Sequence, residues 1–215
     1  SCASSNPIGG IGVNEPSISS MISNIKNALD LNSSELFWLH NDAATDEIMA
    51  INLYINMNTV DGSLSNEAKE FGERAVEALM NNGEVDFGEE VILDADFINI
   101  ECLYSVYNDM GKAPTFNNYL QNFNSEMSVA DLRLSADDNF SQNPDNADYL
   151  NAMAITNPPL SSNEIVITFN ADPSTSGNIL TKPDVFKAVA MIHEIIHADM
   201  YRKMLDAVRD AEISG

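Results

Sequence analysis

Two of the three histidines in this 215-residue chain stand four residues apart, at His193 and His197, with Glu194 directly after the first. On an α-helix, positions i and i+4 lie one turn apart on the same face, so both imidazoles can aim a nitrogen at one ion. Glu194 falls about 100° round the helix from His193, where it can flank that ion without ligating it. Zinc held in this way makes a bound water acidic enough to act as a nucleophile near neutral pH. A neighbouring carboxylate can take the proton of that water and deliver it to a leaving amine. The spacing therefore predicts His193 and His197 as metal ligands for zinc, and Glu194 as the catalytic base activating a metal-bound water. The plainer alternative is a pair of hydrogen-bonded histidines in a core. That two of only three histidines fall into the pattern favours the metal site.

The element that must carry these residues is legible around them. Thr181, Lys182, Pro183 and Asp184 have the composition of a helix start, with a proline in the first turn and an acid at the positive end of the dipole. From Val185 to Glu212 neither glycine nor proline interrupts, which predicts one long helix or two closely joined ones. Val185, Val189, Ile192, Ile196 and Met200 form one apolar stripe, expected to be the buried face. Ala188, Ala190 and Ala198 are small enough to let a sheet or an ion approach. Such packing would limit solvent around Glu194 and favour a base that works near neutral pH.

Upstream, the periodicity changes twice. Residues 1–16 are rich in Ser, Gly, Asn and Pro and read as a flexible leader. Residues 17–83 read as three or four short helices. Caps are expected at Asn32 (with Glu35), Thr45 and Ser65, and breaks at Asp61-Gly62 and Asn81-Asn82-Gly83. After an acidic turn around Glu89 and Glu90, a longer helix is expected from Phe97 to Met110, ended by Gly111 as a C′ residue. A short helix should begin at Pro114. Alternation then predicts strands over 130–134 and, more weakly, 151–155. The strongest strand signal is Ile165, Ile167 and Phe169 alternating with Val166 and Thr168. Helices beside a small sheet make an α+β arrangement.

Over residues 184–204, DVFKAVAMIHEIIHADMYRKM, the chain resembles the zincin-like HExxH metallopeptidases. It looks closest to a group of uncharacterised zincin-like proteins of Bacteroidetes. The carrying positions are Ala188, His193, Glu194, His197, Ala198 and Asp199, preceded by the extended Asn163–Asn170. The resemblance covers roughly residues 94–210. It implies a helical N-terminal part (17–90), then a zincin-like domain over 91–215 with a small sheet packed on the HExxH helix; either that domain is truncated at its C-terminus or its third metal position is filled by an unusual residue or by water. It further implies that the strand before the helix lies at the sheet edge and pairs with extended substrate. That role would fall to Ile165–Phe169, unless this strand is a central one. Asp199 would be either a partner of an imidazole or a solvated acid, and Tyr201 either an oxyanion donor or a packing residue beside Leu205.

The pattern is short of one ligand. Catalytic zinc ordinarily takes three protein ligands and a water. Met200 and Lys203 occupy the positions where the extended metzincin motif needs Gly and a ligand, so that class is rejected. Glu212 would lie about 22 Å away on a continuous helix. Asp206 and Asp210 face the same difficulty, and His40 sits beside Trp38 and Leu39 on a separate predicted helix. In the resembling group the third ligand is expected farther downstream, on another helix.

Composition narrows the partners. Ten Lys and Arg against 33 Asp and Glu give a formal net charge of -23. That field opposes nucleic acid, whose binding requires cationic side chains, and anionic membrane surfaces. Residues 135–181 contain no Lys or Arg, which suits a cationic partner, calcium, or simply a solvated acidic surface. No apolar run is long enough for a transmembrane segment. Cys102 is expected in the core, and Cys2 resembles the lipid-attachment residue of bacterial lipoproteins. A secreted or cell-envelope setting is thereby favoured over the cytoplasm. The function implied is zinc-dependent hydrolysis of peptide bonds in a peptide or protein substrate. The alternative is a catalytically incompetent zincin-like binding or envelope protein.

Overall fold

Capping chemistry fixes the first helices of the computed structural model, which describes residues 16–124, 130–159 and 163–213. The expected leader and Cys2 lie outside the described residues. Helix α1 (Ile18–Ala28) starts where the Ser17 hydroxyl accepts the Ser20 N–H at 3.2 Å. Helix α2 (Ser33–Asn41) starts on a capping box: Asn32 accepts from Ser34 and Glu35, and Glu35 reaches back to the Asn32 N–H at 2.7 Å. Helix α3 (Thr45–Asn58) is capped differently from expectation. Thr45 is its first helical residue, and Glu47 accepts the Ala44 N–H at 2.7 Å. Strands β1 (Thr59–Val60) and β2 (Ser63–Leu64) form a tight hairpin. Its two central residues, Asp61 and Gly62, have φ of 51° and 81°, the pair of positive values that a two-residue Asp-Gly turn supplies. Helix α4 (Asn66–Met80) begins at Ser65, whose hydroxyl accepts the Ala68 N–H. These helices bury Ile25, Leu39, Ile51, Ile55 and Val76 against one another.

A five-stranded mixed sheet follows, in the order β3-β4-β5-β7-β6. Strands β3 (Glu84–Asp86) and β4 (Val91–Leu93) form an antiparallel hairpin across residues 90 and 91, where the sequence places a boundary. The acidic turn is real, and Glu90 turns with φ of 50°, but the strands either side of it were not expected. β4 is Val-Ile-Leu with all three residues buried, the continuous apolar run of a parallel strand rather than an alternating one. Tyr54, Phe71 and Ile92 join the helical region to this strand. The helix expected over 97–110 is two: α5 (Ala95–Ile98) and α6 (Glu101–Met110), separated at Ile100, whose ψ is 84°. Gly111 closes α6 in the right-handed region, so it is not a left-handed C′ residue. Cys102 is exposed, which corrects its expected place in the core. Helix α7 (Pro114–Gln121) has proline in its first turn, as expected.

Strand β5 (Asp131–Asp137) lies parallel to β4 and to β7 (Glu164–Asn170), while β6 (Ala154–Asn157) pairs antiparallel to β7. Ile165–Phe169 is therefore a central strand. Its neighbours on both sides account for the strong signal, since Ile165, Ile167 and Phe169 are all fully buried. The edge on this side belongs to the weaker strand, β6, and the opposite edge to β3. Helix α8 (Asp184–Ile213) is one continuous 30-residue rod that packs across β6, β7 and α6. The whole is an α+β fold: an N-terminal helical region followed by a mixed β-sheet region with helices against it. Among the described residues, no helix is long and apolar enough to cross a membrane.

Candidate metal centre

The expected rotation of α8 is overturned. Val185, Val189, Ile192, Ile196 and Met200 face solvent, with exposures from 39% at Ile196 to 65% at Val185. The stripe continues through Met204 and Val208. Ala190, Met191, Ile195 and Ala198 form the buried face, together with the polar Lys187, Glu194, Asp199 and Arg202. The helix is apolar on two sides. Periodicity identified one of them, and the sheet packs on the other. The rings of His193 and His197 lie at the seam between the faces, one exposed and one half-buried.

At that seam the rings converge. The two Nε2 atoms are 3.1 Å apart and the ring centroids 4.6 Å, with planes at 73°. An ion about 2.0–2.1 Å from each nitrogen would span that gap at an N–metal–N angle of about 100°. Without an ion, the same contact is a hydrogen bond in which one imidazole donates to the other. The donor chemistry and spacing thus fit two positions of a zinc site. Among the described residues, no group of three or more His, Cys, Asp or Glu is placed to hold one ion.

Glu194 is 8% exposed, which agrees with the expected restriction of solvent. Its carboxylate Oε2 accepts a hydrogen bond from the Thr156 hydroxyl of β6 at 2.7 Å. The same hydroxyl lies 3.1 Å from the Glu194 carbonyl oxygen. A cleft of about 340 Å³ runs beside the site between α8 and the approach to β6, lined by Asn151, Met153, Ala154, Val189, His193 and Glu194. Thr156 and the wall at 151–154 were not expected, because no spacing rule links a strand residue to a helix 38 positions later.

The other named residues fall elsewhere. Asp199 is buried and is neither an imidazole partner nor a solvated acid. It accepts from Arg202 at 2.9 Å and from Asn122 at 3.2 Å, and pairs with Lys203 at 2.6 Å, tying α8 to the end of α7. Burial works against its charge, but Lys203 and Arg202 hold its carboxyl below the usual range. Tyr201 packs with Leu205 against the main core. Asp206 pairs with Arg202 and Asp210 with Arg209. His40 is exposed on α2, and the side chain of Glu212 lies outside the described residues.

The acidic stretch is divided. Asp137 and Asp138 line a separate cleft of about 710 Å³ with Asp94 and Asp96, at the C-terminal ends of β4 and β5. Glu164 is ion-paired with Arg133 at 2.8 Å. Asp172 accepts from Ser174 in its own loop and from the Ser141 N–H in the turn after β5, which ties the two loops together. No family model, curated protein or solved structure matches this chain.

Proposed function

We propose that this chain carries the helix of a zinc-dependent peptidase of the zincin-like type, hydrolysing peptide bonds in a peptide or protein substrate. The observation that carries the reading is the 3.1 Å approach of the His193 and His197 Nε2 atoms beside a buried Glu194. His193 and His197 would hold the ion, with a third donor from outside the described residues. Zinc, when bound, supplies polarisation of the scissile carbonyl and acidification of the attacking water. Glu194 accepts the water's proton on its carboxylate and passes it to the leaving amine. Antiparallel β6, at the edge of the sheet and over the site, offers main-chain groups to an extended substrate. The edge role expected of Ile165–Phe169 moves to Ala154–Asn157.

Among the described residues the two imidazoles have no third donor beside them, and this favours the second reading, a zincin-like binding or envelope protein without catalysis. Zinc titration separates the two. Stoichiometric zinc, lost in His193→Ala and kept in Glu194→Gln, supports the site. Peptide cleavage that falls by about 10²–10⁴-fold in Glu194→Gln supports the base. Zinc without cleavage supports the binding protein, and wild-type cleavage by Glu194→Gln rejects the role given to that residue.

A further inference from the structure

Thr156 is the one residue of β6 whose side chain holds Glu194 and whose main chain faces the open edge of the sheet. The first half is the hydrogen bond of 2.7 Å from its hydroxyl to Oε2. The second half follows from the ladder. The Asn170 N–H donates to the Met153 carbonyl at 2.9 Å, so these two form a hydrogen-bonded pair. In an antiparallel ladder such pairs alternate with pairs whose main-chain groups point away from each other. With Ala154 opposite Phe169 and Thr156 opposite Ile167, the N–H and C=O of Ala154 and Thr156 turn outward. Ile155 and Asn157 spend theirs on β7. Ala154 has only a buried methyl to offer α8.

We infer that Thr156 is a positioning residue that couples occupancy of the β6 edge to the orientation of Glu194. This rests on the peptidase reading above. A strand laid on β6 hydrogen-bonds the main chain of Thr156 and fixes its backbone angles. The direction of its β-branched side chain is fixed with them. The hydroxyl then holds one carboxylate oxygen, and the other is left to accept the proton of water. Binding energy from the substrate backbone is converted into placement of the base.

The test uses the full chain and two variants, Thr156→Val, which keeps the shape and removes the donor, and Thr156→Ser, which keeps the donor. In the zinc-free chain, amide exchange over 154–157 speeds up roughly tenfold in Thr156→Val, as expected for a lost hydrogen bond to a charged group, and stays near wild type in Thr156→Ser. Glu194→Ala speeds exchange similarly, and adding Thr156→Val to it does nothing more. With zinc and an extended peptide, Thr156→Val lowers kcat about 10- to 100-fold with KM nearly unchanged and zinc affinity intact, and Thr156→Ser recovers most of kcat. Exchange in Thr156→Val equal to wild type, or equally accelerated with and without Glu194, overturns the contact. A normal kcat in Thr156→Val, in a chain that does cleave, overturns the coupling and leaves the peptidase reading standing. Failure of the wild-type chain to cleave any peptide overturns the peptidase reading and with it the coupling, while the exchange cycle still decides the contact.

Discussion

Asp199 and His197 are two residues apart on α8, and the helix sends them to opposite surroundings. The imidazole reaches the seam beside the cleft, while the carboxylate turns into the protein against Arg202, Lys203 and Asn122. Asp199→Ala would leave Arg202 buried with only Asp206 beside it. Removing one of two carboxylates from a buried guanidinium costs less than unpairing it outright, so urea unfolding should shift by roughly 1–3 kcal/mol with zinc affinity unaltered. A variant as stable as wild type would mean that Asp206 alone satisfies Arg202. The same contrast shows what could be read beforehand. His193, Glu194 and His197 were legible because i and i+4 is a relation within one helix. The pairing of Asp199 with Arg202 and Lys203 is equally local, at i+3 and i+4, but its burial against Asn122 and the bond from Thr156 to Glu194 were not legible, because those contacts join elements that only the tertiary fold brings near.

Strand β6 is short and gives a weak pattern in the sequence, yet it forms the wall of the candidate site, and its position depends on the loop beside it. Gly177 lies so close to the turn before β6 that an added Cβ would fall 2.1 Å from the Ala152 carbonyl oxygen and 2.8 Å from the Asn151 carbonyl carbon. These are backbone atoms, which cannot swing aside. Gly177→Ala should therefore push residues 151–152 away, destabilise the chain by roughly 1–3 kcal/mol, and loosen β6 in amide exchange. Unchanged stability and protection would show that the turn yields freely. Alternation located β5 and β7 because each shows a half-buried face over seven residues. It missed β3 and β4, which are three residues each, too short for a period to register. It also joined α5 to α6, since Phe97, Ile100 and Leu103 keep helical spacing through a residue that leaves the helix. The rotation of α8 was unreadable because both of its sides are apolar, and only the sheet selects between them.

Across the molecule, the two halves are joined by a charged cluster at the start of β5 and β7: Arg74 of α4 with Asp131 at 2.5 Å and Glu164 at 3.3 Å, and Arg133 with Glu164 and Asp94. Burial pushes the carboxyls of Asp131 and Asp94 up to about 6, against the pull of Arg74 and Arg133. Unfolded, both return to about 3.9, so the folded chain holds more protons between about pH 4 and 6 and loses stability as pH rises through that window. Asp172 and Asp199, shifted downward, keep their contribution throughout it and lose it only below. The net charge of -23 adds self-repulsion in the same direction. Tm should be a few degrees higher at pH 5 than at pH 7.5, and Asp131→Asn should narrow the gap; a Tm that climbs between those values would contradict it. The outer side of α8 has a practical consequence on the same scale. A greasy rail about 35 Å long, from Val185 to Val208, should make so acidic a molecule bind phenyl resin and brighten hydrophobic dyes. Replacing Val189, Met204 and Val208 with lysine should abolish both while the thermal melt stays where it was, because each of the three keeps more than half of its surface in solvent.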